Sequence, residues 1–405
     1  MPEASAAQAN VVLNDVSLPA MVLKETALEN NLGVMARYSA ENGFLLAPHG
    51  KTTMAPELFR RQLAAGAWGI TVANTDQAAV AFRSGAARVL VANQVVGRAA
   101  AQAVVDQLDA GGGGGARELY CLVDSVPGVE LLSANLERAG LQGHLGVLIE
   151  LGVPGGRTGV RTSDQGVAVA RAVAASSQLL LVGTEGFEGL LAADRSSAAL
   201  ETVDQYLGDL RSLTVLLAKE HAFPGPGPVL VSAGGSRYFD RVAQVLGSGR
   251  YEGLEVRLVV RSGCYLVHDH GTYAEASPLV PGAWGGGSLV PALEVWADVL
   301  SVPEAGRVIV GMGKRDVPYD IGLPIPLHLV RGHSGHLEPF AGGDLTRLDD
   351  QHGYLQVGPG QAPAAPGDRI GFGISHPCTA FDKWREVLLV NDDYEVLGLI
   401  PTFFH

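Results

Sequence analysis

The chain has 405 residues, 47% of them hydrophobic and 18% charged, with a formal net charge of −13. A sequence this apolar buries a large core and is not compositionally disordered, and its length suits two domains, since single cores seldom grow past about 250 to 300 residues. The acidic balance and the lack of a basic run exclude a phosphate-backbone footprint for nucleic acid.

The start, MPEASAAQAN, lacks the basic and apolar layout of a secretory signal, and no stretch reaches the roughly 18 apolar residues of a membrane span. A cytoplasmic protein without a membrane partner is expected. From residue 18 onward short apolar runs alternate with amphipathic or Ala-rich segments. The predicted strands are Ala20 to Lys24, Phe44 to Pro48, Gly69 to Ala73, Arg88 to Ala92, Glu118 to Val123, Leu145 to Leu151, Leu179 to Gly183, Val229 to Ala233 and Arg257 to Arg261. Helices are predicted between them, among others over Ala55 to Ala65, Thr75 to Ser84, Ser196 to Leu217 and Arg237 to Leu246. Strand-helix units repeated at this density predict an α/β fold, a (β/α)8 TIM-type barrel over residues 18–272. The Gly111 to Gly115 run reads as a flexible loop. Beyond residue 275 Pro and Gly punctuate short apolar pieces such as Leu293 to Leu300, Arg307 to Val310, Tyr354 to Val357 and Val387 to Val390. That texture predicts a smaller, mostly β domain over residues 273–405.

Reactive groups of a parallel barrel sit at the C-terminal ends of its strands. Lys51 falls there, in the turn His49-Gly50-Lys51-Thr52-Thr53 after the second predicted strand, and it is one of only five lysines, with Lys24, Lys219, Lys314 and Lys383. A lysine in such a mouth can form an imine with a carbonyl cofactor; an exposed loop lysine is the other reading. Two later turns, Ser232-Ala-Gly-Gly-Ser236 and Arg261-Ser-Gly-Cys-Tyr265, carry the small residues that let backbone N–H groups close on an anion. Each alone reads equally as a tight turn, but as a pair after the last two strands they match a barrel phosphate site. Arg157, in Gly155-Gly-Arg-Thr-Gly159, is either a surface arginine or one that faces a cofactor's polar edge.

Near the C-terminus stands Ser375-His376-Pro377-Cys378. In an extended segment residues two apart project to one side, so imidazole and thiolate can share an ion and leave positions open for substrate. A chance His-x-Cys, and a rival cluster of Asp269 with His268 and His270, remain open alternatives, with His352 as a further ligand or base. Three cysteines, Cys121, Cys264 and Cys378, give no disulfide framework. Gly311-Met-Gly-Lys-Arg-Asp316 lacks the third glycine of a dinucleotide fingerprint.

Pro48-His49-Gly50-Lys51-Thr52 resembles the Pro-His-x-Lys-Thr turn of D-threonine aldolases and D-serine dehydratases, the fold-type III pyridoxal-phosphate enzymes with an alanine racemase-like barrel. The Arg157 turn, the Gly234 to Ser236 turn, the Gly263 to Tyr265 turn and the His-x-Cys follow in family order. Ala47, Thr53 and Met54 stand where the aldolases often have Arg, His and Lys. The resemblance implies that Lys51 carries pyridoxal 5'-phosphate, with His49 beside it as a catalytic residue and Arg157 beside the pyridine ring. It assigns Gly234, Gly235, Ser236, Gly263 and Tyr265 to the phosphate, and His376 and Cys378 to a divalent metal. A thiolate ligand favours zinc. The expected activity is dehydration of a β-hydroxy D-amino acid such as D-serine, D-threonine or 3-hydroxy-D-aspartate to a keto acid and ammonia. Aldol cleavage to glycine and an aldehyde is the alternative, and a non-catalytic cofactor carrier the alternative of another class. A homodimer is implied.

Overall fold

The computed structural model describes residues 16–110, 117–225, 227–332, 336–340, 342–358 and 364–404. The glycine run at 111–115 lies outside them. The chain forms two compact units, one running from Met35 to Gly263 and the other joining the residues up to Val34 with those from Cys264 onward.

The first unit is a parallel barrel. Its strands Leu45–Leu46, Leu254–Val260, Val229–Ala233, Leu179–Gly186, Leu145–Leu151, Glu118–Val123, Arg88–Gln94 and Ile70–Val72 are neighbours in that order. A bridge from His49 to Thr71 joins the two ends of the path and closes the ring. The strands read as near-continuous apolar runs because parallel strands are covered on both faces; Val89, Val91, Val147 and Val231 are all buried. Side-chain caps start the intervening helices: Asn74 accepts from the Gln77 N–H, Ser125 from Gly128 and Ser196 from Ala199, while Thr162 and Gln165 form a capping box. At the C-terminal ends the pattern changes. Glu150, Glu185 and Ser232 lie in register on three neighbouring strands, placing a polar tier where the apolar runs stop.

The second unit is built on an antiparallel and mixed sheet. Leu337–Pro339, Ile325–Val330, Arg369–Gly373, Leu293–Glu304, Ala20–Lys24, Glu386–Val390 and Val396–Pro401 pair in that order. Val22, Trp296, Val330, Val390 and Tyr394 form its core cluster. Ala20–Lys24 was expected as a barrel strand and is not one: it runs antiparallel to Leu293–Glu304 and parallel to Glu386–Val390. The expected division at residues 18–272 and 273–405 shifts accordingly, with the N-terminal strand given to the β unit. A five-residue apolar run is compatible with any buried strand position, so its pattern does not specify a partner. Lys24 is tied there by the buried Glu294, at 3.0 Å, which also accepts from the Trp296 indole and the Tyr394 hydroxyl.

Candidate active site

In the barrel unit, the segment bearing Lys51 is held by its neighbours up to His49 and then released. The Ala47 N–H donates to the Val260 carbonyl, the His49 N–H to Arg261, and Thr71 to Pro48. Gly50 opens a single 3-10 turn, Gly50–Thr52; a Cβ there would meet the Phe59 ring at 2.6 Å, so glycine permits the close approach. Lys51 projects from this turn as an exposed side chain, and among the described residues no acid pairs with it. The His49 ring is buried. Burial, and then the charges of Lys51, Arg261 and Arg157, hold its pKa well below the ordinary histidine value, so it is neutral near pH 7.

The polar tier centres on Arg261. Its guanidinium pairs with Glu185 and donates to the Ser232 hydroxyl and the Gly186 carbonyl, both at 3.1 Å. Burial outweighs the guanidinium and pushes Glu185 up to about 7, with Glu150 and Glu188 adding to the rise. Glu150 is held by Gln94 at 2.6 Å and by the Thr158 hydroxyl at 2.7 Å. Arg261→Leu leaves Glu185 buried without its cation, and the expected loss of stability is about 3 to 5 kcal/mol. Denaturant unfolding checks this; a midpoint unchanged from wild type would show that the pair carries no such energy.

Gly234 and Gly235 stand in the turn after Val229–Ala233, as the sequence places them. Their N–H groups, however, both point at the Glu188 carboxylate, at 3.0 and 2.6 Å. An anion cradle is therefore present, and in this structure a side chain of the same barrel fills it. Ser236 follows in the same turn, half-buried. Gly263 lies against the lysine segment: a Cβ would meet the His49 carbonyl oxygen at 2.4 Å, so only glycine lets these backbones pass. Three buried polar atoms lack a hydrogen-bond partner here, His49 Nδ1, Glu185 Oε2 and Ser262 Oγ. Leaving such atoms unmade costs about 1 to 3 kcal/mol each, so their gathering at the strand ends fits a site completed by a polar ligand.

Arg157 is exposed in the loop after Leu145–Leu151, its guanidinium 5.0 Å from the Phe187 ring. Arg161 pins that loop by donating to the carbonyls of Thr158 at 2.6 Å and Gly156 at 3.1 Å. A groove of about 500 Å³ runs past Asp124, Arg157 and Arg161; Lys51 does not line it.

In the β unit, the His-x-Cys segment is not extended. His376 is extended itself, but Pro377–Thr379 is a 3-10 turn, so the alternation argument for the pair does not describe its geometry. His376 Nδ1 instead faces Asp320 Oδ2 at 2.7 Å, and the Thr379 hydroxyl donates to Asp320 Oδ1 at 3.0 Å. Burial raises the Asp320 pKa, but its bonds to His376 and Thr379 win and hold it below the ordinary carboxylate value. An ionised carboxylate only accepts, so Nδ1 carries the hydrogen and Nε2 keeps its lone pair, the tautomer that a metal-ligating histidine needs. Cys378 Sγ lies 3.3 Å from Cys264 Sγ. Of the rival cluster, Asp269 accepts from the N–H groups of Gly271 and Tyr273 and His268 Nδ1 meets the Asp269 carbonyl, while the buried His270 Nδ1 has no hydrogen-bond partner among the described residues. His352 is exposed in a tight turn, its carbonyl accepting from Asp349. Among the described residues no three His, Cys, Asp or Glu side chains converge on one point, and no helix is long and apolar enough to cross a membrane. The sequence reading missed Asp320, Glu185, Glu188 and the part played by Arg261.

A parallel barrel on a chain with a second, mostly β unit is the fold shared with an alanine racemase-like protein from Idiomarina loihiensis, with a TM-score of 0.74 at 14% identity over 97% of this chain and 98% of that one. Residues 292–390 match the family model described as "Putative serine dehydratase domain". The chain is 26% identical to a D-threonine aldolase from Arthrobacter sp over 386 residues, 95% of this chain and 92% of that one. Among solved structures, the D-threonine aldolase from Filomicrobium marinum superposes with a TM-score of 0.79 at 25% identity, covering 96% of both chains. The D-threo-3-hydroxyaspartate dehydratase from Delftia sp. HT23 shares the fold, with a TM-score of 0.75 at 21% identity over 96% of this chain and 98% of that one. Along nearly its whole length the chain is similar to D-threonine aldolase, its segment 292–390 matches the serine dehydratase domain model, and it is an enzyme of the lyase type.

Proposed function

We propose that the protein is a pyridoxal-phosphate- and metal-dependent dehydratase of a β-hydroxy D-amino acid, releasing a keto acid and ammonia. The observation that carries this reading is the donor set of the β unit, an imidazole oriented by Asp320 with the Cys378 thiol two residues on. When bound, pyridoxal phosphate supplies an electron sink for charge at the substrate Cα, and a divalent ion supplies Lewis acidity toward the β-hydroxyl.

Lys51 would hold the cofactor and would accept the α-proton of the substrate at Nζ. His49, kept neutral, offers near that lysine a ring Nδ1 that has no hydrogen-bond partner among the described residues. Ser236, Gly263 and Tyr265, with the Ser262 hydroxyl, hold the phosphate; Gly234 and Gly235 join them where Glu188 yields their N–H groups. Arg157 would stand beside the pyridine ring. His376 and Cys378 hold the metal, and the thiolate favours zinc over manganese or magnesium. A D-threo-3-hydroxyaspartate dehydratase with one cysteine changed to alanine has a metal-free form, which supports a metal in that enzyme.

Asp320→Asn removes the carboxylate that orients His376. The expected result is a 10- to 100-fold weaker metal affinity, by about the amount that outer-shell partners supply, read by titration with a zinc-competing dye; unchanged affinity would mean that Asp320 does not act through a ligand.

The D-threonine aldolase relatives favour a second reading, in which the same residues serve cleavage of Cα–Cβ to glycine and an aldehyde. Products separate the two. The metal-loaded protein, given D-serine, D-threonine and 3-hydroxy-D-aspartate, is expected to release keto acid and ammonia, whereas glycine and an aldehyde would make it an aldolase.

A further inference from the structure

Cys264 and Cys378 are separated by 114 positions in sequence, yet their sulfurs lie 3.3 Å apart, and neither is disulfide-bonded. Both are partly exposed, so a small oxidant can reach them. The remaining cysteine, Cys121, is fully buried in a barrel strand, and burial pushes its thiol up to about 12, which leaves it unreactive. A disulfide closes at roughly 2.05 Å, so the two sulfurs must approach by little more than an ångström. Both residues sit in turns where side-chain rotation does not break a strand ladder: Cys264 follows Gly263 beyond the end of Leu254–Val260, and Cys378 lies in the 3-10 turn Pro377–Thr379.

We propose that Cys264 and Cys378 form a reversible disulfide that withdraws Cys378 from metal binding; the disulfide rests on the sulfur contact alone, and its effect on the metal rests on the function proposed above. The oxidant is a hydroperoxide. One thiol is converted to a sulfenic acid as the peroxide is reduced to an alcohol, or to water from hydrogen peroxide. The second thiol then attacks that sulfur, the S–S bond forms, and the hydroxyl leaves with a proton as water. A dithiol reductant restores both thiols.

The test treats metal-free, full-length protein with equimolar hydrogen peroxide, then alkylates it under denaturing conditions for intact mass and a non-reducing peptide map. The alkylatable thiols are expected to fall from three to one, with a mass lower by two hydrogens before alkylation and a cross-linked peptide joining Cys264 to Cys378, all reversed by dithiothreitol. Cys264→Ser is expected to give an oxygen adduct on Cys378 and no cross-link. Three thiols surviving, or Cys378 oxidised without cross-linking in the wild type, overturns the disulfide. Zinc added beforehand is expected to slow cross-linking; an equal rate with zinc overturns the withdrawal of a metal ligand while the cross-link itself still forms, so the two failures are distinguishable.

Discussion

Lys51→Ala is expected to lower turnover by about 10³- to 10⁴-fold or more, the scale lost when a nucleophile and a proton-transfer group are removed together. The fold should survive. Lys51 is exposed on a short turn, and no acid among the described residues pairs with it, so the change in stability should stay within about 0.5 kcal/mol, as at other surface positions. The absorbance of lysine-bound cofactor should vanish with the activity. Lys51→Arg should not rescue it, because a guanidinium stays protonated and cannot act as the amine nucleophile or base. A steady-state assay beside a thermal melt checks both halves; wild-type turnover in Lys51→Ala would return this residue to a solvated loop lysine.

The second large effect belongs to the metal. Cys378→Ala leaves His376 and its Asp320 partner without the neighbouring sulfur, and metal affinity should fall by at least about 100-fold, beyond what the loss of an outer-shell partner costs. Activity should fall with it, and a chelator should reproduce the loss in the wild type. Cys378→Asp exchanges a soft donor for a hard one, so the preferred ion should move from zinc toward manganese or magnesium. Metal content after dialysis against mixed ions measures this. Full activity in the presence of a strong chelator would remove the metal from the account.

The eight barrel strands were legible because parallel strands covered on both faces leave compact apolar runs, with capped helices between them. The strand Ala20–Lys24 was misplaced for the same reason, since its run is as apolar as the others and its partners lie far along the chain. Within the site, the turns bearing Lys51, Gly234 and Gly263 could be read from local spacing. What their donors face could not: Glu188 reaches the Gly234 and Gly235 N–H groups only through the fold. Asp320 is likewise 56 positions from His376, and no local pattern joins them. Two signals were available. Glu150 and Glu185 are carboxylates within otherwise apolar strands, which marks a polar end of a barrel, and Pro377 is suited to the first position of a helical turn, which argues against an extended His-x-Cys.

Borohydride reduction decides whether the barrel end at Lys51 carries the cofactor. Purified protein loaded with pyridoxal phosphate is reduced, digested and mapped by mass spectrometry. Cofactor is expected on the peptide containing Lys51, at one per chain; fixation on Lys24, Lys219, Lys314 or Lys383 instead, or on none of the five lysines, would show that Lys51 does not carry it.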